Sequence, residues 1–215
     1  LTGVDPVQGI AAGGSTAHIG RAAYQQFGLQ VLASAPDLQS LCEQAAALQA
    51  MEGFQVSVIA QASSGVQRRT WALTVADAIQ AKPNLDQPSH RLVLVQAAGH
   101  HVLGEIVTQP DRSYRQHDQK PQRTSASLSS RLARALVNLV PVAAKTILDP
   151  CCGSGALVLE AHAIGLQVFC GDINANMVQK PTENLAHFNY ACGVQLQDAR
   201  AWQEPVDAVV TDLPY

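Results

Sequence analysis

Apolar and polar positions along this chain follow two different periods, and the change between them divides it. In LQSLCEQAAALQA, Leu38, Leu41, Ala45 and Leu48 recur at the spacing of one helix face, which predicts a helix. FQVSVIA, Phe54 to Ala60, alternates like a half-buried strand, and TWALTVADAIQ, Thr70 to Gln80, returns to helical periodicity. The turn formers of KPNLDQPS lead to a second strand, RLVLVQA, Arg91 to Ala97, with HHVLGEIV folding back as its hairpin partner. This half predicts a small α+β module. Gln109 to Ser127 is polar, carries Pro110 and Pro121, and reads as a linker or extended arm. SLSSRLARALVNLV follows as a helix with a serine cap and Leu132, Ala135, Leu136 and Leu139 on one face.

From Lys145 the pattern becomes strand, glycine turn, helix, strand: KTILDP, CCGSG, ALVLEAHAIG, LQVFCGDI. ANMVQKPTENLAHFNYAC predicts a further helix, and GVQLQDA and VDAVVTDLPY predict two more strands. Strands and helices alternating at this length imply the α/β class with a parallel, doubly wound sheet. The expected division is a module over 1–108, a basic linker over 109–127 and an α/β domain over 128–215.

Composition narrows the picture. With 215 residues, 47% hydrophobic and 14% charged, the chain can bury a core and falls outside the disordered and collagen-like classes. No window approaches about 18 consecutive apolar residues, so no membrane partner is expected, and no basic region leads into an apolar core as a secretory signal would. The five cysteines are odd in number and lack CxxC spacing, which disfavours a disulfide framework or a zinc ribbon and makes a reducing cytoplasm the simplest compartment, with no metal expected. The net charge of −3 supplies no general attraction to nucleic acid, so such a partner needs a local patch. One candidate runs from Arg112 to Arg134. Arg112, Arg115, Lys120, Arg123, Arg131 and Arg134 lie there with Asp118 as the one acid, and the first four are candidate RNA-phosphate contacts. The chain opens at Leu1 without an initiator Met and its last motif runs to Tyr215, so the sequence reads as an internal piece of a longer protein.

Four strand ends carry the chemistry. In TILDPCCGSG an apolar strand ends in Asp149, and a glycine turn with Gly153 and Gly155 opens a helix at Ala156. Glycines let a ligand approach the backbone, and a helix N-terminus offers free amides to a carboxylate or a phosphate. The third glycine of a dinucleotide turn is absent, and Asp149 would repel a pyrophosphate. A ligand with a cationic amine and sulfonium, such as S-adenosylmethionine, suits that acid better. Such a turn is also common as a plain structural feature. Asp172, ending VFCGDIN, can accept from ribose hydroxyls or cap the next helix, a cap for which Asn174 competes. Asp198 ends VQLQDA and can receive an adenine amino group or be an ordinary loop acid. In AVVTDLPY, Asp212 and the Pro214 carbonyl can accept from an exocyclic amine while Tyr215 stacks on the base. Adjacent His100 and His101 on a strand point to opposite faces and make poor joint metal ligands. Cys151 and Cys152 lack a partnering base and read as small residues fitting a crowded turn.

With these residues in view, the second half resembles the Rossmann-like methyltransferases that modify exocyclic amines of bases, and specifically the THUMP-containing tRNA guanosine N2-methyltransferases. The likeness covers about Arg112 to Tyr215: RSYRQHDQK and SSRLARALVNL resemble the family's lead-in, DPCCGSGALVLEA its cofactor loop, GDINANMV its ribose strand, and QDA and TDLPY its adenine and catalytic motifs. The first half, FQVSVIA through RLVLVQ, resembles the end of a THUMP domain, an RNA-binding module. The resemblance implies S-adenosylmethionine as cofactor and tRNA as partner. It implies Asp149, Gly153 and Gly155 at the methionine part, Asp172 at the ribose, Ile173 against the adenine and Asp198 at its amino group. Asp212 would orient the guanine amine for in-line attack on the methyl, assisted by Pro214 and Tyr215. Leu213 stands where the family more often has proline, and a sheet stopping at Tyr215 implies that the piece alone lacks turnover. Competing readings are a methyltransferase of ribosomal RNA or of adenine, an RNA-binding fragment without activity, and a nicotinamide-dependent oxidoreductase.

Overall fold

The computed structural model describes residues 3–5, 10–12, 19–48, 50–60, 63–97 and 99–213. They fall into two units, one comprising Leu1–Gly20 and Gln26–Gln109, the other Arg21–Gln25 and Pro110–Tyr215. Among the described residues no helix is long and apolar enough to cross a membrane.

In the first unit, β1 (Gly3–Asp5) pairs antiparallel with β2 (Ile10–Ala12). A separate sheet holds β3 (Gly28–Ala35), β4 (Phe54–Ala60), β5 (His90–Ala97) and β6 (His100–Thr108) in the order β3-β6-β5-β4. β4 and β5 run parallel, and the other pairs are antiparallel, including the expected β5–β6 hairpin. Helix α1 (Leu38–Ala45) opens where the Asp37 carboxylate accepts from the Ser40 amide at 2.8 Å, and α2 (Gly65–Ile79) where Ser64 accepts from Gln67. Leu41, Val75 and Ile79 from the helices close over Phe54, Leu92, Leu94 and Leu103, all of them buried. Full burial of each such side chain contributes about 1.5–3 kcal/mol. Two departures have local causes. α2 begins five residues before Thr70, because Ser64 supplies its cap. β3 escaped the sequence pattern because GLQVLASA carries a register shift between Val31 and Ala33, which breaks strict alternation.

The second unit contains α3 (Ser130–Val137), β7 (Thr146–Asp149), α4 (Ala156–Ala163), β8 (Gln167–Asp172), α5 (Ala175–His187), β9 (Val194–Leu196) and β10 (Ala208–Val209). The sheet order is β10-β7-β8-β9 with every pair parallel, a Rossmann-like α/β arrangement. Asp207 fixes β10 beside β7 by accepting from the Lys145 and Thr146 amides and the Thr146 hydroxyl at 2.7, 2.9 and 3.0 Å. Ile147, Val158, Leu159 and Leu185 form the centre of the core.

Of residues 109–127, expected as a linker or extended arm, 110–127 belong to this unit. Ser113–Gln119 forms a 3-10 helix whose Tyr114 is buried and donates its hydroxyl to the Ala23 carbonyl at 2.9 Å. His117 Nδ1 bonds Glu160 Oε1 at 2.6 Å, while Asp118 accepts from the amide and hydroxyl of Ser130. Lys120 is 3% exposed, which removes it from the surface patch expected to meet RNA phosphates. The face of α3 also differs from expectation. Leu132 and Leu139 are exposed, whereas Ser130, Ala133, Arg134 and Val137 are buried. Arg134 turns inward because Nε meets Glu160 Oε2 at 2.7 Å, giving the buried cation its counter-charge.

Candidate functional site

The parallel strands deliver their C-terminal ends to one side, where ligands of open α/β sheets bind. Asp149 and Asp172 end β7 and β8, and Asp198 and Asp212 lie just past β9 and β10. All four line a single cleft of about 490 Å³, within the usual range for small-molecule sites. Gly153, Ile173, Asn174 and Met177 line it as well, and Gly155 stands between two lining residues, Ser154 and Ala156. Pro214 and Tyr215 lie outside the described residues.

The glycine turn is built tightly. The Cys152 amide donates to the Gly171 carbonyl at 2.9 Å, binding the turn to β8, and the Gly155 amide donates to the Cys152 carbonyl at 2.7 Å. Gly155 has φ +82°, and a Cβ there would stand 2.8 Å from Pro181 Cβ on α5, so glycine is required twice over. As N-cap of α4, Gly155 provides no side chain to occupy the first amides.

Each acid has a distinct environment. Asp149 is 1% exposed, and burial pushes its carboxyl up to about 7, with the charges of Asp172 and Asp212 adding to the rise. The Asp172 carboxylate accepts from the Gly153 amide at 3.1 Å and the Asn174 amide at 2.9 Å, coupling β8 to the turn. Asn174 takes the cap of α5 by accepting from Asn176 at 3.0 Å. Asp198 is engaged by Arg200, with Nη2–Oδ2 at 2.6 Å, and these bonds hold its carboxyl down to about 2. Ile173 is 70% exposed, an apolar surface at the mouth of the cleft. Burial raises the Cys151 thiol, keeping it protonated.

One wall was not legible in the sequence. Thr124, Ala126 and Ser127, from the segment expected as a linker, line the cleft together with Leu128 beside it. No Lys, Arg or His lines it among the described residues. Nor is any group of three or more His, Cys, Asp or Glu among them arranged to hold a metal ion.

A fold and cleft of this kind define a class, and residues 117–215 match the family described as UPF0020, the RMKL-like methyltransferase domain. Among curated proteins, the chain is 45% identical over 93 residues to the tRNA (guanine(10)-N2)-dimethyltransferase of Methanothermobacter thermautotrophicus, covering 41% of this chain and 28% of that enzyme. It is 31% identical over 150 residues to the enzyme of the same name from Methanocaldococcus jannaschii, covering 63% of this chain and 43% of that enzyme. The chain therefore spans less than half the length of either relative. The crystal structure of TrmN from Thermus thermophilus aligns over 88% of this chain and 63% of its own, with 22% identity and a TM-score of 0.48.

Proposed function

We propose that the chain binds S-adenosylmethionine in this cleft and carries the cofactor-binding part of an enzyme that methylates the exocyclic amino group of guanosine in tRNA. The observation that carries the reading is the convergence of four strand-end acids on a cleft with no basic lining residue among the described residues, over a glycine turn. That charge suits a cationic amine and sulfonium and opposes a pyrophosphate. The match of residues 117–215 to a methyltransferase domain and the names of the two relatives support the same chemistry.

In this reading Asp149 and the turn of Gly153 and Gly155 face the methionine part, where the open amides of α4 receive its carboxylate. Asp172 keeps acceptor capacity beyond its two amide bonds for ribose hydroxyls. Ile173 packs on the adenine, and Asp198 accepts from the adenine amino group while Arg200 holds the carboxylate in place. The cofactor supplies an already activated methyl group, so the protein's contribution is positioning. Asp212 accepts from the target amine and sets its line of approach, with Pro214 and Tyr215 as its partners. The exposed Arg112, Arg115 and Arg123 contact RNA phosphates, the first unit acts as a THUMP-like RNA-binding module, and the protein works in the cytoplasm.

Calorimetric titration tests the reading. S-adenosylmethionine should bind and NAD should not, and Asp172→Ala should weaken binding at least tenfold, since a bond to a charged acceptor is worth roughly 1.5–3 kcal/mol. Binding of NAD, or unchanged affinity in Asp172→Ala, would overturn it.

A further inference from the structure

The segment 122–128, which supplies the lining residues Thr124, Ala126, Ser127 and Leu128, is tied to the glycine turn and α5 through a small set of polar bonds, and most of them meet at one residue. Asn184, on α5, is 0% exposed. Its Nδ2 donates to the Gln122 carbonyl and to the Ser154 carbonyl, both at 2.8 Å, and its Oδ1 accepts from the Gln122 amide at 2.8 Å. Gln122 opens the wall segment, and Ser154 sits between the two glycines of the turn. One buried amide thus holds both sides of the cleft to α5. A second tie lies further along, where the Ser127 hydroxyl accepts from the Thr124 amide at 2.9 Å and bonds the Ser154 hydroxyl at 2.8 Å. Where α5 passes under the turn it presents Pro181, against which only glycine fits at 155.

The bond pattern specifies the residue. Two donors and one acceptor on a short planar group are what an asparagine amide offers. A leucine of similar size would take these partners from three buried or half-buried backbone groups, and an aspartate would aim a carboxylate at two carbonyl oxygens. None of these bonds reaches into the cleft, so Asn184 acts through the segments it joins.

We infer that Asn184 is a positioning residue that sets the separation between the 122–128 wall and the glycine turn, and so the fit of the end of the cleft beside Asp149. The inference rests on the proposed placement of the methionine part against that turn, and it assigns Asn184 no contact with ligand. Ser127 belongs to the same device as the outer tie.

The test is a paired titration of the full chain, wild type and Asn184→Leu, with S-adenosylmethionine and with adenosine alone. Expected is a roughly tenfold loss for the whole cofactor, about 1.4 kcal/mol, with adenosine affinity changed less than twofold, because Ile173 and Asp198, assigned to the adenine, share no hydrogen bond with Asn184 or Ser127. A residue needed only for folding would weaken both ligands together, and equal losses overturn the inference, as does unchanged cofactor affinity. If Asn184→Leu does not fold, Ser127→Ala removes only the outer tie and should show the same selectivity with a several-fold loss. Amide hydrogen exchange without ligand separates this inference from the functional reading. In Asn184→Leu, or in Ser127→Ala should the leucine variant not fold, exchange should quicken at residues 122–128 and 153–155 and stay unchanged in β7. Failure of the wild type to bind the cofactor would overturn the functional reading and the claim on affinity with it. Unaltered exchange in both segments would overturn the clamp.

Discussion

Asp149 offers a sharp test because its surroundings oppose its charge. Burial raises the carboxyl most, Asp172 and Asp212 add to it, and the Thr211 hydroxyl and Cys151 amide work against them, leaving it at about 7 rather than 3.8. At about 1.36 kcal/mol per pH unit, the fold disfavours ionisation here by roughly 4 kcal/mol. A carboxyl whose folded value is raised binds protons more tightly in the native state than in the unfolded chain. Its stabilisation is therefore complete below about pH 3.8 and is lost as pH rises through about 7. Asp149→Asn substitutes a neutral group of the same shape that still accepts from the Cys151 amide. From pH 5 to pH 8.5 the wild type should lose about 3 kcal/mol that the variant keeps, this being the two pH units below the folded value. Urea unfolding at both pH values measures the gap, which should widen in the variant's favour at the higher pH. An equal gap at both would refute the buried, protonated carboxyl. A cationic ligand beside Asp149 should reverse the balance. At pH 6, where about nine-tenths of the group is protonated, binding of S-adenosylmethionine should release a proton, seen by calorimetry in two buffers of different ionisation enthalpy. Asp149→Asn should bind more weakly and release none.

Three further outcomes follow from particular contacts. In an enzyme carrying this chain at the full length of its relatives, Asp212→Ala should leave S-adenosylmethionine affinity within about twofold while single-turnover methylation of tRNA falls steeply, because the target amine loses its orienting acceptor; full activity would remove Asp212 from the reaction. Gly155→Ala should destabilise the chain by about 1–3 kcal/mol in urea unfolding through the clash with Pro181 and the positive φ, and unchanged stability would show that α5 yields. Neutralising two of Arg112, Arg115 and Arg123 should flatten the dependence of RNA affinity on salt by about 0.7–0.9 logarithmic units per lost contact, whereas neutralising buried Lys120, whose ammonium burial pushes below its ordinary value, should leave that slope unchanged. An unchanged slope in the first case would make the exposed arginines a solvated surface only.

The strand-end acids were legible because each follows a short apolar run, and a run ending in an acid reads the same from neighbours as from the fold. Asp149, Asp172, Asp198 and Asp212 needed no long-range information to be singled out. The same holds for β4, β5 and the hairpin to β6. The wall of the cleft was hidden for the opposite reason. Thr124, Ala126 and Ser127 carry no period, and their place depends on Asn184, some sixty positions away in sequence.

Arg134 makes the limit plain. Periodicity assigns the buried face of α3 by hydrophobicity, and on that scale an arginine belongs outside while Leu132 and Leu139 belong inside. The assignment inverts because Glu160 stands buried on α4 with one oxygen on Arg134 and the other on His117, so that inward rotation of α3 satisfies the carboxylate instead of orphaning it. A buried charge is costly or tolerable according to a partner that local sequence does not name. This divides the second unit into two kinds of polar residue. The four acids that line the cleft sit at or just past strand ends and declare themselves by position, whereas Arg134, Glu160 and His117 are defined by one another and Asn184 by the Gln122 and Ser154 backbone. The position of the cleft's acids was therefore readable before its supports were, and a substitution among the supports should be felt at the cleft through geometry rather than through any lost contact with a ligand.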